Sequence, residues 1–264
     1  TLGGLGLGMA LALFQAHMKN GVAGASQARE LTGGEVLSVG GARASSGWNP
    51  FRSGRNEVER TAASADLAVA ARALRNELRD APMRRGERML VCASPDDAAA
   101  AGAIALKLAE AVAVGGERVL LIDADATGGA VSRAVALDGA PGLSEVLQGE
   151  TDIGAAAVKN HERGIWTLGR GVGQTVRPAG ESAKLRDVLA AAMAQFDYVV
   201  VVPGPLLSDA DALLISAASD QIVLAVREHE TNAEAVQRAM RLLGRDREKL
   251  RRTVLLSSGR AAAA

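Results

Sequence analysis

The sequence predicts an open α/β sandwich, a mainly parallel sheet with helices on both faces. From Met89 onward, short runs of Val, Leu and Ile alternate with longer helical patterns. The runs lack polar alternation, the mark of strands buried on both faces. Strand–helix alternation then gives right-handed crossovers and a parallel sheet. The length, 264 residues with 48% hydrophobic side chains, is enough to bury one ordinary core and leave extra segments.

The elements follow in order. Leu2 to Phe14 is apolar and uncharged, shorter than the ~20 residues that cross a bilayer. With Thr1 in place of Met, residues 1–18 read as the end of a transmembrane helix. Gly4 and Gly8 are spaced for close helix approach. A signal peptide would need a basic start and a cleavage site, and neither is clear. The Gly4–Gly8 run is not a dinucleotide loop, because no strand precedes it. Lys19, Arg29, Arg43, Arg52, Arg55 and Arg60 follow, which favours a cytoplasmic exit. Residues 19–60, rich in Gly, Ser and Ala, read as a linker. Val36–Val39 interrupts it as a short strand or docking segment. The α/β domain is expected over 61–264.

Thr61 to Asp80 predicts an amphipathic helix, with Leu67, Ala70, Ala71, Leu74 and Leu78 at helical spacing. Thr61 or Ser64 caps it and Pro82 lies just past its end. Arg72, Arg75 and Arg79 lie on or near one face. Strands are expected at Met89–Ala93, Val119–Asp123, Ile165–Leu168, Tyr198–Val202, Ile222–Val226 and Thr253–Leu256. Helices are expected at Asp96–Val114, Ser182–Gln195, Asp209–Ala218 and Asn232–Leu243.

Composition excludes several functions. The 30 basic and 30 acidic residues cancel, which argues against a nucleic-acid binder. Aromatics at 2% leave few stacking platforms for single strands. A single cysteine, Cys92, sits in the first predicted strand; it reads as a small core residue in a reducing compartment. His17, His161 and His229 are scattered and read as surface residues. Ser132, Ser144 and Ser208 lack the setting of a hydrolase nucleophile.

The chemistry, if any, belongs at the carboxyl ends of the strands, where ligands bind in such sheets. Asp123 and Asp125 lie there, at the end of the second buried strand. Two carboxylates one residue apart can hold Mg²⁺, and can equally cap the turn that follows. The loop after the first strand, Pro95-Asp96-Asp97-Ala98-Ala99-Ala100-Ala101-Gly102-Ala103, occupies the place of a phosphate loop. It carries no lysine and no Ser/Thr.

Ordered segments carry a resemblance. Gly116–Asp125 resembles the Min/Par-like ATPases, and still more closely the cytoplasmic domain of bacterial tyrosine kinases (BY-kinases) attached to polysaccharide co-polymerases. Pro141–Gly149 resembles that family's "PGLSxVLxG" segment. Phe196–Pro205 resembles its "YDYVIIDTPP" strand. Asp209–Leu213 is similar to the next helix start, and Val69–Arg75 to the upstream "EAFRxLR" helix. The N-terminal piece fits the family's second membrane helix, so the resemblance covers nearly the whole chain.

The resemblance implies a P-loop NTPase-like fold and a role in exopolysaccharide or capsule polymerisation, chain length or export at the inner membrane, with this region mostly cytoplasmic. It implies a homo-oligomer, through membrane helices and the cytoplasmic domain, with Arg72 and Arg75 as interface residues. It also implies contact with the polymerase and export machinery. The departures bear on catalysis. The family's phosphate-loop positions fall on Ala100, Ala101, Gly102 and Ala103, with the lysine at Ala101. Its second acidic residue falls on Val202, its following arginine on Thr127 and its helix glutamate on Val69. Tyr198 is the only tyrosine in these 264 residues, so no counterpart of the family's tyrosine-rich substrate cluster is expected within them. Phosphoryl transfer depends on positioned cations, so a degenerate kinase with no catalytic residues and no required cofactor is expected. A weak Mg-ATP or Mg-ADP site at Asp123 and Asp125 is the residue of chemistry left. The alternatives are an active autokinase or ATPase with unusual chemistry, and a Min/Par-type positioning ATPase.

Overall fold

A computed structural model describes residues 21–40, 65–80, 89–126, 128–173 and 181–257. The expected membrane segment, the cap and Pro82 of the first amphipathic helix, Arg79's side chain, Thr127 and His17 lie outside the described residues.

The core is an eight-stranded sheet. Its strands are β1 (Val36–Val39), β2 (Met89–Ala93), β3 (Val119–Ala124), β4 (Val158–Asn160), β5 (Ile165–Leu168), β6 (Tyr198–Pro203), β7 (Gln221–Arg227) and β8 (Leu250–Leu256). They run in the order β1-β8-β7-β2-β6-β3-β5-β4. All neighbours are parallel except the β4–β5 pair at one edge. The central strands are buried end to end, as their unbroken aliphatic runs require.

Helices cover both faces. α1 (Ala25–Thr32) belongs to one face. α2 (Ala65–Asp80), α3 (Ala98–Ala113) and the short α4 (Ala130–Ala134) belong to the other. α5 (Leu143–Gln148), α6 (Ile153–Ala156), α7 (Glu181–Gln195), α8 (Ala210–Ala218) and α9 (Ala233–Leu243) complete the α1 face. Alternate strand residues divide accordingly. Leu120 and Ile122 of β3 join the α5–α9 core, while Val119 and Leu121 join the α2–α4 core.

The stretch expected as linker departs from that expectation. Residues 25–32 are helical, ended by Gly33 in the left-handed conformation, and Val36–Val39 adds an edge strand parallel to β8. The segment is held because it buries Val22 and Ala28 and pairs its backbone. The amide of Val22 donates to the Thr231 carbonyl (2.9 Å), and that of His229 donates to the Val22 carbonyl (2.8 Å). Gly21 passes so close to His229 that a Cβ would lie 2.6 Å from its carbonyl oxygen. α1 is too short for its apolar positions to stand out from a Gly/Ser/Ala background. α4, α5, α6 and the three-residue β4 were equally invisible, since helical periodicity needs a longer window.

Candidate functional site

Three structures meet at the carboxyl edge of the sheet: the β2–α3 loop, the end of β6 and the turn after β3. β6 lies between β2 and β3, and Asp123 is in register with Val202.

The β2–α3 loop is closed by its own side chains. Asp97 is the N-cap of α3, and its Oδ1 accepts from the amides of Ala99 (2.9 Å) and Ala100 (3.2 Å). These are amides that a phosphate would seek at a helix N-terminus. The other Asp97 oxygen pairs with the Arg227 guanidinium from the end of β7. Asp96 accepts a longer bond from the Thr231 hydroxyl (3.4 Å), and the Asp97 amide donates to the Ser94 hydroxyl (3.2 Å). Ala100, Ala101 and Ala103 are fully buried in the core between α3 and the sheet, and Gly102 is buried in α3. Val202 is buried in the same core. None of these positions offers a polar side chain to a ligand.

The acidic pair is also engaged internally. Asp123 is fully buried, and its Oδ2 accepts from the Ser132 amide (2.6 Å) and hydroxyl (2.7 Å). Its Oδ1 accepts from the Asp125 amide (3.3 Å). Burial pushes its carboxyl up to about 6; the Ser132 bonds oppose this, and the nearby Asp125 charge adds to it. Asp125 is buried and accepts from the Gly128 amide (3.0 Å), closing the turn into α4. The Ser132 hydroxyl in turn accepts from the Arg170 amide (2.8 Å), tying the loop after β5 to the end of β3. Arg170 reaches back over Ala126 (3.4 Å to its carbonyl) and Gly129.

Mg²⁺ is held by one or two carboxylates together with waters and phosphate oxygens. Asp123 is engaged by Ser132 and the Asp125 amide, and one Asp125 oxygen by the Gly128 amide. α3 supplies no hydroxyl beside the pair. Among the described residues, no group of three or more His, Cys, Asp or Glu side chains is placed to hold a metal.

Glu145 forms a further tie that sequence reading missed. It accepts from the amides of Gly142 (2.7 Å), Val172 (3.0 Å) and Gly173 (3.0 Å) and from the Ser144 hydroxyl (2.8 Å). Burial works to raise its pKa, but these donors outweigh it and hold the carboxyl below its usual range. The roles of Arg227, Thr231 and Arg170 also went unread, and Ser132 was read only as a serine without a nucleophile's setting. Each acts through a partner far away in sequence, so no local pattern marks it.

The remaining expected residues lie elsewhere. Arg72 is exposed on α2, and Val69 beside it is 61% exposed. Arg75 is half-buried and lines a small cavity of about 80 Å³ with Val112, Gly115, Glu117 and Tyr198, at the opposite edge of the sheet from Asp123. Cys92 is buried, and desolvation pushes its thiol up to about 12, as befits a core residue. His161 and His229 are exposed.

The sheet order, the β2–α3 loop and the acidic strand end define a P-loop NTPase-like α/β domain. In particular, it has the fold of BY-kinase kinase domains. The chain is similar to the kinase domain of the Escherichia coli tyrosine kinase ETK, with 24% identity over 92% of this chain and 98% of that one (TM-score 0.73). It is similar to the BceF tyrosine kinase domain, with 20% identity over 90% and 99% (TM-score 0.69). The MinC:MinD cell division protein complex of Aquifex aeolicus matches less fully, with 18% identity over 64% and 68% (TM-score 0.53). No family model and no curated protein sequence matches the chain.

Proposed function

We propose that this is a pseudokinase module of a membrane-anchored polysaccharide co-polymerase. In this reading it acts by packing and oligomerisation in the polymerisation, chain-length control or export of an exopolysaccharide or capsule. The fold and the ordered motifs support the co-polymerase setting. One observation carries the loss of catalysis: the Asp97 carboxylate, paired with Arg227, occupies the α3 N-terminus where a nucleotide phosphate would bind. A triphosphate arriving there meets a carboxylate that already holds the amides. The lysine and second acidic positions, Ala101 and Val202, lie in the core. The exposed Val69 and Arg72 on α2, with Arg75 behind them, are the proposed self-association surface, and Leu2–Phe14 is the proposed anchor in the inner membrane.

Titrating the full chain with Mg-ATP in a calorimeter tests the catalytic part. The expected result is no saturable binding at micromolar ligand and no label transfer to Tyr198. Micromolar binding abolished by Asp125→Ala would overturn the pseudokinase reading and favour an active autokinase or a positioning ATPase. Sedimentation of the full chain in detergent tests assembly: Arg72→Glu with Val69→Glu is expected to shift it towards the monomer.

A further inference from the structure

α9 has a buried face and a basic one. Val236, Ala239, Met240 and Leu243 pack inward. Arg238 and Arg241 are exposed on the opposite side, and Arg245, just past the helix end, continues their line. Leu242 stands among them, 48% exposed. None of these arginines forms an ion pair with a described carboxylate. Two acids lie towards the start of the helix. Glu234 sits in its first turn, where the helix N-terminus favours negative charge. Glu230 approaches Arg227 at 3.8 Å. The last two turns are therefore strongly basic around one apolar side chain.

The place of this face in the fold matters. Gly21 bridges Asn232, the N-cap of α9. Phe14, the end of the apolar run, is seven residues before Gly21, a span of at most about 25 Å of extended chain. α9, with 11 residues, is about 16 Å long. We propose that the Arg238–Arg241–Arg245 face of α9 lies on anionic lipid headgroups, with Leu242 dipping into the interface. This rests on the reading of Leu2–Phe14 as a membrane anchor. Basic side chains gain from the negative surface potential within a Debye length of it, and an exposed leucine adds apolar burial at the headgroup boundary. Docking would orient the sheet relative to the membrane, rather than leave the domain hanging on its tether.

The test uses the full chain carrying Leu242→Cys labelled with a polarity-sensitive dye; Cys92 is buried and stays unlabelled in the folded protein. The chain is reconstituted with vesicles of phosphatidylcholine alone or mixed with phosphatidylglycerol. The expected result is a blue shift with phosphatidylglycerol only. High salt reverses it, and both R238E/R241E/R245E and the milder R238Q/R241Q/R245Q abolish it while keeping the native circular dichroism. A lipid-independent signal, a shift unchanged in the folded variants, or a response only to an acidic polypeptide would overturn the proposal. Flotation on phosphatidylcholine alone reports the anchor separately. Flotation without a phosphatidylglycerol-dependent shift keeps the anchor and rejects the docking face. A phosphatidylglycerol-dependent shift without flotation on neutral vesicles does the reverse.

Discussion

The β2–α3 loop and the β3–α4 turn stand on either side of β6, and each places a carboxylate against backbone amides. They differ in what they keep. The β2–α3 loop offers no lysine or hydroxyl at Ala100–Ala103, and Asp97 caps its amides with help from Arg227. The β3–α4 turn keeps both aspartates of the pair, yet uses them to hold Ser132 and Gly128. The same carboxylates that form the motif also satisfy buried amides, so the pair has a use in the fold whatever it binds. Leaving such donors unpaired costs about 1–3 kcal/mol each, so folding alone gives a reason to retain them.

Changes at four positions would break or sharpen this contrast. The largest effect is expected at Ala101. Ala101→Lys restores the missing cation to a fully buried position, and an unpaired buried charge costs on the order of 3 kcal/mol or more. Urea denaturation should show that loss, with no gain of Mg-ATP binding by calorimetry. If ATP binding returned, the loop would be a dormant site rather than a closed one.

Asp123 is next. Its folded pKa, about 6, lies above the ordinary 3.8. Its contribution to stability is therefore fully present below pH about 4 and is lost as pH rises through 6, a change on the order of 3 kcal/mol. Asp123→Asn should flatten the pH dependence of unfolding between pH 4 and 6 while leaving Ser132 an acceptor. An unchanged slope would place the titration elsewhere.

Asp97→Ala should cost about 1–2 kcal/mol, from the lost cap and the Arg227 partner, measured as a lower denaturation midpoint. Asp97→Asn, which keeps the cap and removes the charge, should recover part of it. Ser132→Ala should cost about 1 kcal/mol. It should also speed amide exchange at Arg170, whose amide donates to that hydroxyl. If Asp97→Ala and Ser132→Ala were both silent, the carboxylates would not be holding their loops.

Much of this fold was legible in the chain. Met89–Ala93 and Ile165–Leu168 are strands over exactly the residues that their apolar runs mark, because a strand buried on both faces admits few polar side chains. α3 and α9 follow their helical periods with ends displaced by one or two residues, as Asp97 and Asn232 act as caps just outside the helices. The absence of lysine and hydroxyl at Ala100–Ala103 was equally plain. The sequence could not show that residues 25–39 form a helix and an edge strand of this domain. Four residues of β1 carry little pattern, and their register comes from β8, more than two hundred positions later.

The site divides in the same way. By itself the sequence determined which chemical groups are present, and therefore that Ala101 and Val202 bring neither charge nor metal ligand. Tertiary structure alone decided what the remaining carboxylates do. Asp97 meets Arg227, and Asp123 meets Ser132 and through it Arg170, because crossover connections bring distant strand ends to one edge. A carboxylate is committed to a ligand or to its own chain by the donors that surround it, and those donors become neighbours only when the sheet has formed.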